Sequence, residues 1–309
     1  MKSIIDTIAA IAALLCLALP GLALALEPVR VAPDVYAFPG DNSEISPSGH
    51  AANSGFIVGP RAVVVIDTGG SYAHGKAMLA AIATVTPKPV SLVIITHAVQ
   101  DFVFGAAAFS ELGIPLLAHR KTDELMSARC EHCLANLRKA LGEAPLLGTR
   151  LVLPSELVEG STRIDAGGRP IELLHFGWAS TPGDLAVYEP RSGVLFAGGI
   201  VMGARIPELR DGEFNGWLAA LAALAELNPS KVIPAYGPVL RAQDMSNTAA
   251  YLRDLDAKVK ALYTAGRGLM ETMDEAGIQR YASWSQYPDL HRRNVLRRYL
   301  QLEVEDLER

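Results

Sequence analysis

Cysteine is scarce in this 309-residue chain: Cys16, Cys130 and Cys133 are the only three. That excludes a disulfide-stapled framework, so an apolar core must hold the fold. Aromatic residues reach only 6%, and the formal net charge of −5 comes without any long block of like charge. This excludes a nucleic-acid or polybasic membrane surface. After the N-terminus no apolar run is long enough to span a bilayer. Internal repeats at solenoid or propeller periods and low-complexity tracts are also lacking. What remains is the balance of a globular protein, 50% hydrophobic and 20% charged. A small molecule or another protein is the expected partner.

The first 25 residues break that balance. Lys2 precedes an apolar stretch from Ile8 to Leu19, then come Pro20-Gly21 and the small-residue triplet Ala23-Leu24-Ala25. These are the parts of a secretory signal peptide cleaved after Ala25. The expectation is a signal at 1–25, loss of Cys16 with it, a mature chain in the periplasm, and no membrane association after cleavage. Cys130 and Cys133 then remain. In an oxidising compartment their spacing reads as a local disulfide, with a thiol-exchange couple as the alternative. Leu134 stands where c-type haem attachment would need histidine.

Hydrophobic periodicity predicts antiparallel strands over 29–39 and 54–67, a helix over 72–85, a buried strand over 91–95 and a helix over 102–112. The loop after the 91–95 strand carries polar residues. In open α/β sheets that is where chemistry tends to sit. A long charged helix follows at 121–141, and strands follow at 150–153, 162–176, 184–189 and 193–201. A helix at 215–227, a strand at 231–234 and helices over 247–265, 269–276 and 289–308 complete the chain.

Five segments, in order, are Val64-Val65-Ile66-Asp67-Thr68-Gly69, Thr96-His97-Ala98-Val99-Gln100-Asp101-Phe102, Ser180-Thr181-Pro182-Gly183-Asp184, Leu195-Phe196-Ala197-Gly198-Gly199 and Ile233-Pro234-Ala235-Tyr236-Gly237-Pro238. Together they resemble the signature segments of the metallo-β-lactamase superfamily. The runs Phe104–Phe109, Arg205–Gly212 and His291–Val295 look like the group of quinoprotein relay system zinc metallohydrolases. The resemblance implies a four-layer αββα sandwich (α/β, α+β) over 27–241 with a helical C-terminal extension over 242–309. It also implies a two-zinc hydrolytic centre held by an H-x-H-x-D-H segment, two further histidines and a bridging carboxylate.

Laid against that pattern, His97 keeps the first histidine position and Asp101 the acid position. The other positions hold Val99, Phe102, Ser180, Gly199 and Tyr236. Each zinc would keep one protein ligand where a catalytic zinc ordinarily has three. The leading expectation is a pocket with no cofactor, serving a non-hydrolytic binding or accessory protein that acts on a small molecule or beside a periplasmic quinoprotein component. His97 and Asp101 are expected to pair with each other and titrate in the physiological range. The alternative is a zinc hydrolase with ligands recruited from His50 and His175. A third reading makes Ser180 a nucleophile with His97 as base and Asp101 as orienting acid. His74, His119 and His291 are expected to cap helices or face solvent.

Overall fold

The computed structural model describes residues 26–307, so the segment expected to be a signal lies outside it. In the first sheet β1 (Val29–Ala32), β2 (Val35–Phe38), β3 (Ser54–Val58) and β4 (Val63–Ile66) run antiparallel. Then β5 (Val90–Ile94), β6 (Leu116–His119) and β7 (Glu156–Val158) continue in parallel. In the second sheet β8 (Thr162–Asp165), β9 (Pro170–Leu174), β10 (Ala186–Glu189) and β11 (Val194–Phe196) are antiparallel, and β12 (Lys231–Ile233) lies parallel to β11. The helices are α1 (Tyr72–Val85), α2 (Gln100–Val103), α3 (Ala106–Ser110), α4 (Arg120–Leu141), α5 (Phe214–Glu226), α6 (Ser246–Thr264), α7 (Leu269–Glu275) and α8 (Arg292–Leu307). Among the described residues no helix is long and apolar enough to cross a membrane.

Strand β4 explains the layering. Its Val-Val-Val-Ile sequence is buried throughout, because neighbouring side chains point to opposite faces. Val64 and Ile66, with Val35, Ile57 and Ile94, meet Ile171, Leu173, Val187 and Phe196 of the second sheet. Val63 and Val65 turn the other way, into the cluster that holds Met78 and Ile82 of α1 and Phe109 of α3. Trp217, Leu221 and Leu224 of α5 join the same outer cluster with Leu195 and Val232 of the second sheet. Each such side chain contributes about 1.5–3 kcal/mol when fully buried. Two sheets face to face with helices outside are the αββα sandwich that the resemblance implied.

Several boundaries move. The 29–39 and 54–67 stretches are each a hairpin, broken where Asp34 takes a left-handed φ of 64° and at the Gly59-Pro60-Arg61 turn. The 162–176 stretch also splits, around Gly167 and Gly168 with φ of 60° and 97°. No strand forms at 150–153; the chain pairs with β6 only from Glu156 onward. The helical end of the chain packs on the 204–212 loop: Asn294 accepts from the Leu209 N–H and donates to the Pro207 carbonyl. Two segments quoted for the family resemblance, far apart in sequence, therefore meet.

The expected Cys130–Cys133 disulfide is not formed; both thiols are free. The pair lies inside α4, which continues unbroken past it. Residues three apart on a helix hold their Cβ atoms about 5–6 Å apart, beyond the roughly 3.5–4.5 Å that a disulfide spans.

One backbone contact fixes the loops at the sheet edge. Thr68 and Gly105 donate their N–H groups to the carbonyls of Phe102 and Gly69, and a Cβ on Gly105 would lie 1.9 Å from the Thr68 carbonyl oxygen. Gly105→Ala is therefore expected to destabilise the fold by about 1–3 kcal/mol in urea unfolding. Gly160→Ala, where nothing lies within 4 Å, should stay within about 0.5 kcal/mol of the parent. Equal effects of the two would contradict this packing.

Candidate functional site

The residues of the five segments converge at one edge of the sandwich, where β4, β5, β11 and β12 end. Asp67 leaves β4 with a left-handed φ of 59°. Its buried carboxylate accepts from the Thr96 N–H and the Thr96 hydroxyl, both at 2.8 Å. The same hydroxyl lies 2.8 Å from His97 Nδ1. A threonine hydroxyl has a single proton, and with Asp67 ionised that proton is given to the carboxylate. In that ionised state the His97 proton sits on Nδ1 and Nε2 keeps a lone pair. Burial brings the His97 pKa down to about 3, so the imidazole is neutral. Burial also pushes the Asp67 carboxyl up to about 7, against the two bonds from Thr96.

The other half of the site is built around Asp101, in the first turn of α2. Tyr236 donates its hydroxyl to Asp101 Oδ2 at 2.8 Å. The tyrosine follows β12 in a loop held by Asn53, whose buried side-chain amide donates to the Pro234 and Gly237 carbonyls. Arg205 lays its guanidinium over the Tyr236 ring, 4.0 Å from the centre, and donates to the carbonyls of Asn42 and Ser43. Burial pushes the Asp101 carboxyl up to about 6, opposed by the Tyr236 bond and the Arg205 charge. The Tyr236 phenol is raised well above its ordinary value by burial first and the Asp101 charge second, so it stays protonated.

His97 and Asp101 do not form the expected pair. Phe102 packs its ring 4.2 Å from the His97 ring and stands edge-on to Tyr236 at 5.5 Å. Asp101 is thereby given to Tyr236 and His97 to Thr96. With His97 held neutral to about pH 3, the physiological-range latch expected of the pair has no basis.

The Ser180 reading also loses its geometry. Ser180 donates to Asp184 Oδ1 at 2.8 Å, with Thr181 bonded to the same carboxylate. Ser180 Oγ and His97 Nε2 both border Gly199: a Cβ there would lie 2.4 Å from the first and 3.0 Å from the second. Nucleophile and base are thus neighbours without a shared hydrogen bond, and Asp101 is engaged elsewhere. The pocket is small, about 60 Å³, and His97, Val99, Ser180, Arg205, Trp217 and Tyr236 are among its walls.

The recruited-ligand residues lie elsewhere. His50 packs against His74, ring centres 5.0 Å apart, and His74 in turn lies against Gly69. His50 Nε2 and both ring nitrogens of His74 are buried without a hydrogen-bond partner. His74 thus neither caps a helix nor meets solvent. His175 stacks on His119 at 4.0 Å, while His119 caps α4 through the Lys121 N–H. His291 is buried between the Tyr251 hydroxyl and the carbonyl of Ala276, the residue that ends α7, so of its two expected places it takes the one at a helix end and not the one in solvent. Among the described residues no three His, Cys, Asp or Glu side chains group as a metal would require. The donors present do not fit zinc: His97 and Asp101 are divided by Phe102, and Val99 and Phe102 bring apolar surface where ligands would be needed.

A two-sheet αββα sandwich with its pocket at the strand ends defines the architectural class, a fold of the metallo-β-lactamase type. The chain belongs to the metallo-beta-lactamase superfamily, whose family model matches residues 47–236. A linear primary-alkylsulfatase from Pseudomonas sp. is 22% identical over 237 residues, 66% of this chain and 45% of the relative, so the chain spans less than half of that protein. The fold resembles a metallo-beta-lactamase from Pontibacter korlensis (TM-score 0.62, 20% identity, 74% of this chain and 99% of that one). It is also similar to one from Hirschia baltica, at 23% identity over 73% of this chain and 96% of that one, and to FIM-1 from Pseudomonas aeruginosa in its mono-zinc form, at 16% over 74% and 96%; both have a TM-score of 0.58.

Arg205 and Asn53 were not singled out from sequence. Arg205 opens a run quoted for the family resemblance, but the roles of both residues depend on Tyr236, which lies on another loop. The raised Asp101 carboxyl generates a pH prediction. Its protonated form is favoured in the folded state, so its stabilisation is complete below the unfolded value near 4 and is lost as pH rises through about 6. The unfolding free energy of the parent minus that of Asp101→Asn should fall by about 3 kcal/mol at most from pH 4 to 7. A flat or rising difference in urea titrations would refute it.

Proposed function

We propose that this chain is a metal-independent member of its superfamily, a binding or accessory protein whose pocket takes a small molecule or a small group of one. The observation that carries this reading is the Arg205–Tyr236–Asp101 stack. A phenol of the chain itself, with a guanidinium laid over its ring, takes up the carboxylate that the family resemblance assigns to a metal. Within a pocket of this size, His97 Nε2 offers a lone pair and Val99, Met202 and Trp217 offer apolar contact. The segments that resemble quinoprotein relay zinc metallohydrolases support a periplasmic setting, reached through the N-terminal signal and beside a quinoprotein system component. The degenerate site separates this chain from the hydrolytic members of that group.

One observation favours a zinc hydrolase with recruited ligands: the unpartnered ring nitrogens of His50 and His74. The similarity to an alkylsulfatase gives that reading a substrate class, sulfate esters. Elemental analysis of untagged protein purified without chelator, with an alkyl sulfate hydrolysis assay, distinguishes the two. Below about a tenth of an equivalent of zinc and no sulfate release are expected. The joint variant Val99→His, Phe102→His, Ser180→His, Gly199→Asp, Tyr236→His should bind zinc if the backbone keeps its ancestral shape. A full equivalent of zinc in the parent protein would overturn the proposal.

A further inference from the structure

Arg210 and Asp211 form part of the wall of the central pocket, and they also line a separate outer groove of about 550 Å³. This second space is bounded by Ala98, Arg129, His132, Cys133, Arg210 and Arg297. Cys133 is half-buried midway along α4, and Cys130, one turn earlier, is buried. Positive charge reaches the groove from three elements: Arg129 on α4, Arg210 on the loop before α5, and Arg297 on α8. The acids nearby are Asp211, ion-paired with Arg129 and Arg210, Glu208, which faces Arg210, and Glu131 beside Cys130. Cations outnumber acids along the walls, and one half-buried sulfur faces the space between them.

We propose that Cys133 is a nucleophilic site for small anionic disulfides, which the groove recognises through its arginines and which become joined to Cys133 as a mixed disulfide. The Cys133 thiolate attacks one sulfur of R–S–S–R, a Cys133–S–S–R bond forms, the original S–S bond breaks, and R–S⁻ leaves with the electron pair. The incoming disulfide is the oxidant, so no other co-reactant is needed. Cys130 assists without reacting. The neighbouring Cys130 thiol, with Arg210, His132 and Arg129, brings Cys133 down to about 6 against burial. The same proximity raises Cys130 well above the ordinary thiol range. Cys130 cannot resolve the adduct, because the helix holds the two Cβ atoms about 5–6 Å apart, too far for a disulfide. This inference is independent of whether the central pocket holds metal.

The test uses the full chain with Cys16→Ser and two reagents at pH 7: the dianion 5,5′-dithiobis(2-nitrobenzoate) and neutral 4,4′-dithiodipyridine. One equivalent of thiol should be released per chain, and peptide mass spectrometry should place the adduct on Cys133. The rate with the dianion should show a midpoint near pH 6, and Cys130→Ala should move that midpoint upward. Arg297→Gln, on the exposed surface, should slow the dianion by at least about fivefold and leave the neutral reagent unchanged. Absence of reaction, release of two equivalents, label on Cys130, a midpoint in the ordinary thiol range, or equal slowing of both reagents would each overturn the proposal.

Discussion

A carboxylate taken out of water must be paired or protonated, and Asp101 meets that demand with a phenol. The Tyr236 hydroxyl spans the gap to Asp101, the tyrosine ring carries the Arg205 guanidinium on its face, and Arg205 is fixed in turn by the carbonyls of Asn42 and Ser43. This chain of contacts ties the loop after β12, the loop before α5 and the 40–53 loop into one unit. A hydrated dication beside Asp101 would have to displace both the phenol and the positive charge behind it. The constraint is local, but the shape of the pocket follows from it.

The two halves of the site are built differently. On the His97 side Asp67 braces Thr96, and Thr96 orients the imidazole so that one nitrogen faces the pocket. On the Asp101 side the carboxyl is enclosed by Phe102 and bonded by Tyr236. Phe102 keeps the halves apart by packing between the His97 and Tyr236 rings. The close approach of Gly105 to Thr68, its bond to Gly69, and the bonds of the Asn53 side chain to the Tyr236 loop belong to the fold. They explain why the signature segments remain recognisable while the side chains between them do not.

Much of the architecture was legible because the unbroken β-branched run of β4 and helical spacing in α1 and α4 are strong, local signals. Leu116–His119 escaped: four apolar-to-polar residues after a proline run directly into a helix, and only pairing with β5 and β7 makes them a strand. The 150–153 stretch failed for the converse reason, a suitable composition with no strand to pair with. In the site, the spacing of His97 and Asp101 suggested a pair, but a sequence does not say which ring stands between two side chains. Arg205 was invisible for the same reason, since its partner Tyr236 lies on another loop. The cysteine spacing suggested a disulfide that an unbroken helix does not allow.

The account rests on Asp101 being satisfied by the protein itself. Diffraction from crystals soaked in zinc, with data collected on both sides of the zinc absorption edge, addresses that directly. The prediction is Tyr236 still bonded to Asp101 under Arg205, with no anomalous density in the pocket. An anomalous peak about 2.0–2.2 Å from His97 Nε2 or an Asp101 oxygen, with Tyr236 displaced, would contradict it.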